Sequence, residues 1–389
     1  MERNLGIYIQ VPFCQTKCTY CNFHTGVFAN NLYAPYVNAV CRELTDHVAL
    51  YPAAGLSLGE ESDCDTDTIY IGGGTPSLLD PTALARILDT VRASFPCRLE
   101  EVTLEADPET VVAEKAAAWR VAGISRVSLG GQSFNDAELA AAGRMHRRKD
   151  IFEATRLLRE ASFENISVDL IAGLPHQTAQ SWEDSLRHLL SLHPEHVSIY
   201  LMEIDEGSRL GREVLAGGHR YSADALPDDE AMASLYERAC ERLAQVGYEH
   251  YEISNWALPG FRSQHNLKYW RREAYLGFGA GGHSFKGRQR WANAHDPASY
   301  VAAIERGVLP AEQIQVITPQ QALEEEFFLG LRQLDGIDLD RIEKSYNASF
   351  RDRVQGLVEN GLVEFDGQRL RLAPSRLTVA NEVFVELLG

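Results

Sequence analysis

Three cysteines, Cys14, Cys18 and Cys21, lie within eight residues in the segment Tyr8-Ile-Gln-Val-Pro-Phe-Cys14-Gln-Thr-Lys-Cys18-Thr-Tyr-Cys21-Asn-Phe23. The spacing is C-x3-C-x2-C. Structural zinc prefers paired C-x2-C knuckles, and no second pair occurs in the chain. Three thiolates on one loop suit an iron–sulfur cluster, whose irons prefer soft sulfur ligands. Three protein ligands on a four-iron cube leave one iron open to a small molecule, which makes a reactive site rather than an electron wire. The other four cysteines, Cys41, Cys64, Cys97 and Cys240, are scattered, and burial as small hydrophobes is their expected role. An odd total of seven in a chain read as unsecreted argues against a disulfide framework.

The elements that must position these thiols follow from periodicity. Short apolar, β-branched runs predict strands near 6–10, 68–71, 101–105, 126–129, 166–170 and 197–201. Helical patterns fall between them near 33–50, 81–94, 109–121, 151–161 and 179–190. Six βα repeats predict an α/β fold with a parallel sheet, and periodicity does not tell whether that sheet closes. Beyond residue 205 the alternation breaks into a long amphipathic helix, 227–246, and an irregular Gly- and aromatic-rich stretch, 248–291. A last unit starts near Thr318, with helices at 320–333, 339–345 and 350–360 and a hairpin turning through Asp366-Gly367. Its order predicts a small α+β winged-helix-like lobe. The expected division is 1–205, 206–316 and 317–389.

In parallel α/β barrels the chemistry sits at the C-terminal ends of the strands. The cysteine loop follows the first predicted strand, and Gly72-Gly73-Gly74-Thr75-Pro76 the second. Glu105 ends the third, Gly130-Gly131-Gln132-Ser133 follows the fourth, and Asp169 lies near the end of the fifth. Glycines let backbone amides and carbonyls approach a ligand that a Cβ would exclude. Glu105 is suited to accept hydrogen bonds from ribose hydroxyls, and Arg144 to meet a carboxylate. Taken singly, Gln132, Asp169 and Arg144 are equally suited to structural roles; their common position at the strand ends is the stronger signal.

The cysteine segment resembles the signature of the radical S-adenosylmethionine (SAM) superfamily. The resemblance implies a [4Fe–4S] cluster on Cys14, Cys18 and Cys21, SAM chelated at the open iron, and a partial (β/α)6 barrel. Tyr8 and Pro12-Phe13-Cys14, Gly72 to Pro76, Arg126 to Phe134, Asp169-Leu-Ile-Ala-Gly-Leu-Pro175 and Gly277 to Ser284 are similar to the oxygen-independent coproporphyrinogen III oxidase-like family. That likeness runs from residue 5 to the C-terminal lobe and implies Tyr8, Gly73, Gly74, Thr75, Glu105, Gln132, Arg144 and Asp169 as SAM-site residues. The oxidases carry a further cysteine two residues after the third ligand, where this chain has Phe23, and an N-terminal extension that is short here. His265-Asn266-Leu267-Lys268-Tyr269-Trp270 matches the H-N-x-x-Y-W motif of the family's haem chaperones, implying haem bound through His265 with Tyr269 and Trp270 against the porphyrin. His283 is a second candidate ligand. Three positions depart from the family pattern: Gln10 where His is usual, Asp107 where Asn is common, and Gly131 in place of Val. The expected function is therefore haem binding and transfer to acceptor proteins, membrane respiratory proteins among them, with dimerisation a further expectation. The alternative is radical decarboxylation of coproporphyrinogen III to protoporphyrinogen IX.

Composition narrows the classes. The net charge is −18, from 37 Lys and Arg against 55 Asp and Glu, which disfavours general nucleic-acid binding. The run Arg144-Met-His-Arg-Arg-Lys149 reads as a solvated helix start. No apolar stretch is long enough to span a bilayer and the first residues do not resemble a signal peptide, so a cytoplasmic protein is expected. Gly277-Phe-Gly279-Ala-Gly-Gly282 satisfies G-x-G-x-x-G but opens no βαβ unit, so a dinucleotide site is rejected.

Overall fold

The structure is a computed structural model that describes residues 4–57, 65–380, 383, 384 and 386. Cys64 lies outside the described residues. The first half alternates strand and helix: β1 (Asn4–Val11), α1 (Tyr33–Ala53), β2 (Asp65–Gly73), α2 (Pro81–Ser94), β3 (Cys97–Ala106), α3 (Ala113–Val121), β4 (Arg126–Gln132), α4 (Asp136–Ala141), α5 (Arg148–Glu160), β5 (Ile166–Ala172), α6 (Ala179–Ser191) and β6 (His196–Leu201). Helix starts are written locally. Asp80 accepts from the Thr82 amide at 2.8 Å ahead of Pro81, and Thr178 closes a capping box with Ser181. Such caps contribute about 1 kcal/mol each.

Strands β1 to β6 pair in parallel, in chain order. Side chains alternate across a strand, so each strand sorts its residues between two layers. Ile7, Ile9, Ile69, Ile71, Val102, Leu104, Val127 and Leu129 are buried with α1, α2 and α5 in one continuous apolar core. The opposite parity gives the barrel a polar interior containing Tyr8, Gln10, Tyr70, Glu105, Arg126, Ser128 and Asp169.

The second half contains α7 (Arg209–Leu215), α8 (Asp229–Gln245), β7 (Glu249–Glu252), β8 (Asn255–Ala257), α9 (Gln264–Trp270), β9 (Tyr275–Phe278), β10 (His283–Lys286), β11 (Gln289–Asn293), α10 (Pro297–Glu305) and β12 (Ala311–Val316). The stretch expected to be irregular is thus built of short strands. They extend the sheet at both ends, in the order β12-β11-β10-β9-β1-β2-β3-β4-β5-β6-β8-β7. β9 joins β1 in parallel and β8 joins β6 antiparallel.

The last unit runs α11 (Pro319–Gly330), β13 (Ile337–Asp338), α12 (Leu339–Tyr346), α13 (Arg351–Glu359), β14 (Val363–Phe365) and β15 (Arg369–Leu372), with a small sheet in the order β13-β15-β14. Its Phe327, Leu339, Ile342 and Leu370 join the main core. Backbone bonds from Ile253 N to Arg332 O (3.1 Å) and from Leu334 N to Tyr251 O (3.0 Å) tie it to β7. No helix among the described residues is long and apolar enough to cross a membrane.

Candidate functional site

A pocket of about 400 Å³ opens at the C-terminal ends of β1 to β6. Cys14, Cys18 and Cys21 form one wall; Gly73, Gly74, Thr75, Glu105, Gln132, Arg144 and Asp169 form the rest. The structure therefore brings together all the predicted cluster and SAM residues except Tyr8. Tyr8 lines an adjoining cavity and donates to Gln10 Oε1 at 2.9 Å.

The glycines are there because nothing else fits. Gly73 has a φ of 114°, and a Cβ on it would lie 2.5 Å from Gln10 Nε2. A Cβ on Gly74 would lie 2.6 Å from the Phe13 carbonyl oxygen and 3.0 Å from Cys14 Sγ. The cysteine loop and the β2 turn are thus stacked directly on each other, with the Gly74 amide donating to Val11 O at 2.8 Å and the Thr75 amide to Phe13 O at 2.7 Å.

Glu105 accepts from Tyr70 Oη at 2.8 Å and from the Gly73 amide at 3.0 Å, and burial pushes its carboxyl up to about 7. Burial likewise raises Asp169, which accepts from the Ser128 hydroxyl at 3.3 Å. Gln132 has the left-handed φ of 63°, uncommon outside glycine, and its Oε1 is buried without a hydrogen-bond partner. A strained residue in the pocket wall whose buried acceptor is left unpaired fits a polar ligand there. Arg144 is already engaged: it pairs with Asp107, donates to Gly130 O at 2.9 Å and reaches Cys18 Sγ at 3.4 Å. The expected carboxylate partner is therefore supplied by the chain. Asp107, noted only as a departure, also accepts from Thr75 Oγ1 at 3.0 Å, so it locks the β2 turn, β3 and Arg144 together.

The donor set fits an iron–sulfur cluster. Three soft ligands line one wall, and Arg144 supplies positive charge beside Cys18. Among the described residues no three His, Cys, Asp or Glu side chains converge as one metal ion would need. The corners of a cube, each held by its own thiolate, need no such convergence.

A second cavity of about 980 Å³ adjoins the first. Phe23, Gly73, Glu105, Tyr200, Leu201 and Glu203 line both. Its floor carries Asn266, Tyr269 and Trp270 from α9 and Arg332, Leu377 and Ala380 from the C-terminal lobe; His24 and His283 stand at the other end. The predicted haem residue His265 is not in the wall. It is fully buried, with Nδ1 2.9 Å from Thr68 Oγ1 and Nε2 2.9 Å from Tyr269 Oη. Burial, then Lys268 and Arg126, push its imidazole down to about 3. Lys268 anchors the same helix to Asp67 at 2.8 Å.

Of the residues sequence reasoning missed, Tyr70 carried a signal: it shares strand parity with Gly72, so it had to face inward. Tyr200 and Arg332 carried none, because only the assembled fold brings them to the cavity. The basic run dissolves on folding, with Arg144 and His146 turned inward and Arg148 opening α5.

Residues 8–189 match the radical SAM superfamily model and residues 317–375 the HemN C-terminal domain model. The chain is 35% identical to the heme chaperone HemW of Bacillus subtilis over 98% of each chain. It is 33% identical to HemW of Mycobacterium tuberculosis H37Rv over 99% of this chain and 95% of the relative. Among solved structures, coproporphyrinogen III oxidase (HemN) of Escherichia coli superposes with a TM-score of 0.81 at 21% identity, over 99% of this chain and 90% of that one. That likeness is one of fold.

Proposed function

The chain belongs to the HemW family of haem chaperones within the radical SAM superfamily, and from that premise we propose that it binds haem in the larger cavity and hands it to acceptor proteins. Cys14, Cys18 and Cys21 hold a [4Fe–4S] cluster, and SAM binds against Gly73, Gly74, Thr75, Glu105, Gln132 and Asp169. When bound, the cluster supplies single electrons to SAM. The chain's own part is positional: Glu105 accepts from ribose hydroxyls, the glycine turn admits the methionyl backbone, and the Asp107–Arg144 pair holds the strand ends in register.

The observation that carries this reading is the shared wall. The cavity containing Asn266, Tyr269 and Trp270 of the H-N-x-x-Y-W helix abuts the cysteine pocket through Phe23, Gly73 and Glu105. Delivery to membrane respiratory proteins, a cytoplasmic location and a homodimer belong to the same proposal. So do the division at residues 205 and 316 and the absence of a nucleic-acid partner.

Haem titration of anaerobically reconstituted protein is expected to give saturable Soret growth near one equivalent, without turnover of coproporphyrinogen. Decarboxylation of coproporphyrinogen without saturable haem binding would replace the chaperone reading with the oxidase one. Cys18→Ser is expected to abolish the broad iron–sulfur absorbance, and an unchanged spectrum and iron content would refute the ligand set.

A further inference from the structure

Three imidazoles meet at the end of the larger cavity nearest the cysteine loop. The His24 and His295 rings stack with centroids 3.7 Å apart, and the His283 ring lies 6.5 Å from His295. His24 and His283 line the cavity and are exposed. Among the described residues neither ring nitrogen of His24 or His283 enters a hydrogen bond or ion pair, and His295 Nδ1 is buried without a hydrogen-bond partner. His265 is the opposite case, with both nitrogens taken.

The register places His283 in the cavity wall. β9 pairs with β1 so that Gly277 stands beside Tyr8 and Tyr275 beside Gly6. β10 runs back antiparallel with Phe285 against Tyr275, which brings His283 opposite Gly277. Gly277 carries no side chain because the His283 backbone crosses there: a Cβ on it would lie 2.2 Å from the His283 carbonyl oxygen, so the glycine lets β10 pack close and brings His283 to the cavity wall. One layer down, Tyr275 and Tyr269 meet edge to face with centroids 4.7 Å apart. Beyond them the Arg332 guanidinium lies 4.6 Å over the Trp270 ring and 4.0 Å from the Glu252 carboxylate. An aromatic-lined space with unengaged imidazoles and a guanidinium in its wall suits an iron porphyrin bearing carboxylates. At about 980 Å³ it stands at the upper end of the ~300–1,000 Å³ typical of small-molecule sites.

We propose that His283 is the axial ligand to the iron of a haem seated in this cavity, and that His265 is a positioning residue that holds Tyr269 in the cavity wall. This rests on the haem-binding reading above. Partial burial of the ring and its neighbours His295 and His24 hold the His283 imidazole below the ordinary value, which favours the neutral form that ligation requires.

The test is a haem titration of the full-length reconstituted protein beside His283→Ala, His265→Ala and Tyr269→Phe. His283→Ala is expected to bind haem at least about tenfold more weakly and to shift the Soret and EPR signatures, with free imidazole restoring the wild-type spectrum. His265→Ala and Tyr269→Phe are expected to weaken binding while keeping the wild-type spectral position. His283→Ala with wild-type affinity and spectrum would overturn the ligand assignment while leaving haem binding intact. So would a spectral shift confined to His265→Ala. No saturable binding by the wild type would overturn the haem reading itself.

Discussion

Glu105 concentrates the chemistry of the smaller pocket in one carboxyl. It sits on the inward parity of β3 and is held by Tyr70 and the Gly73 amide. Glu105→Ala removes the acceptor for both donors and for the ribose. The expected result is SAM binding weakened by about 10- to 100-fold with the fold retained, measured by calorimetry. SAM affinity within twofold of wild type would remove Glu105 from the site. Taken alone, a strand-end Glu reads as an ion-pair member; its candidacy was readable from sequence only because it shares the strand-end position with the cysteine loop and the glycine turns. The engagement of Arg144 was not. Its partner Asp107 is distant in sequence, and only the approach of the β3 and β4 ends makes the pair. Gly131 became intelligible the same way: a Cβ there would lie 3.2 Å from Val168 Cγ1, so β5 fills the volume a larger residue would need.

At the scale of elements, the glycine-rich chain between β9 and β10 is clamped from below by Glu43 of α1. That buried carboxyl accepts from Tyr300 Oη at 2.6 Å, Asn293 Nδ2 at 2.8 Å and the Gly279 amide at 3.0 Å. Glu43→Ala would orphan these donors and is expected to cost about 2–4 kcal/mol in denaturant unfolding. Burial raises the Glu43 pKa from 4.5 to about 7. A raised folded pKa means that folding favours the protonated carboxyl. The contribution is complete below pH 4.5 and is lost as pH rises through about 7. Unfolding free energy is therefore expected to fall more steeply between these limits in the wild type than in Glu43→Gln; equal slopes would contradict the raised pKa. The six βα units were legible because each strand and helix writes its own period. Strands β7 to β11 were not. They are three to five residues long and take their strand character from neighbours far along the chain. β9, for instance, depends on β1.

Across the whole molecule, the acidic balance and the inward turn of Arg144 and His146 leave no contiguous basic face from the 144–149 run. Duplex DNA is expected to show no mobility shift at ~0.15 M salt, where only clustered phosphate contacts survive screening; a salt-sensitive shift would contradict this. The C-terminal lobe has a structural use that its sequence did not reveal. Arg332, Leu377 and Ala380 complete the cavity opposite the cysteine loop. The larger cavity is thus shared by the barrel, the H-N-x-x-Y-W helix and the lobe.

Hydrogen–deuterium exchange of the reconstituted protein, with and without one equivalent of haem, tests that claim most directly. The account predicts protection concentrated in the cysteine loop around His24, in α9, at the start of β10 and in the lobe segment from Leu377 to Ala380. Protection confined to surfaces away from this cavity would contradict it.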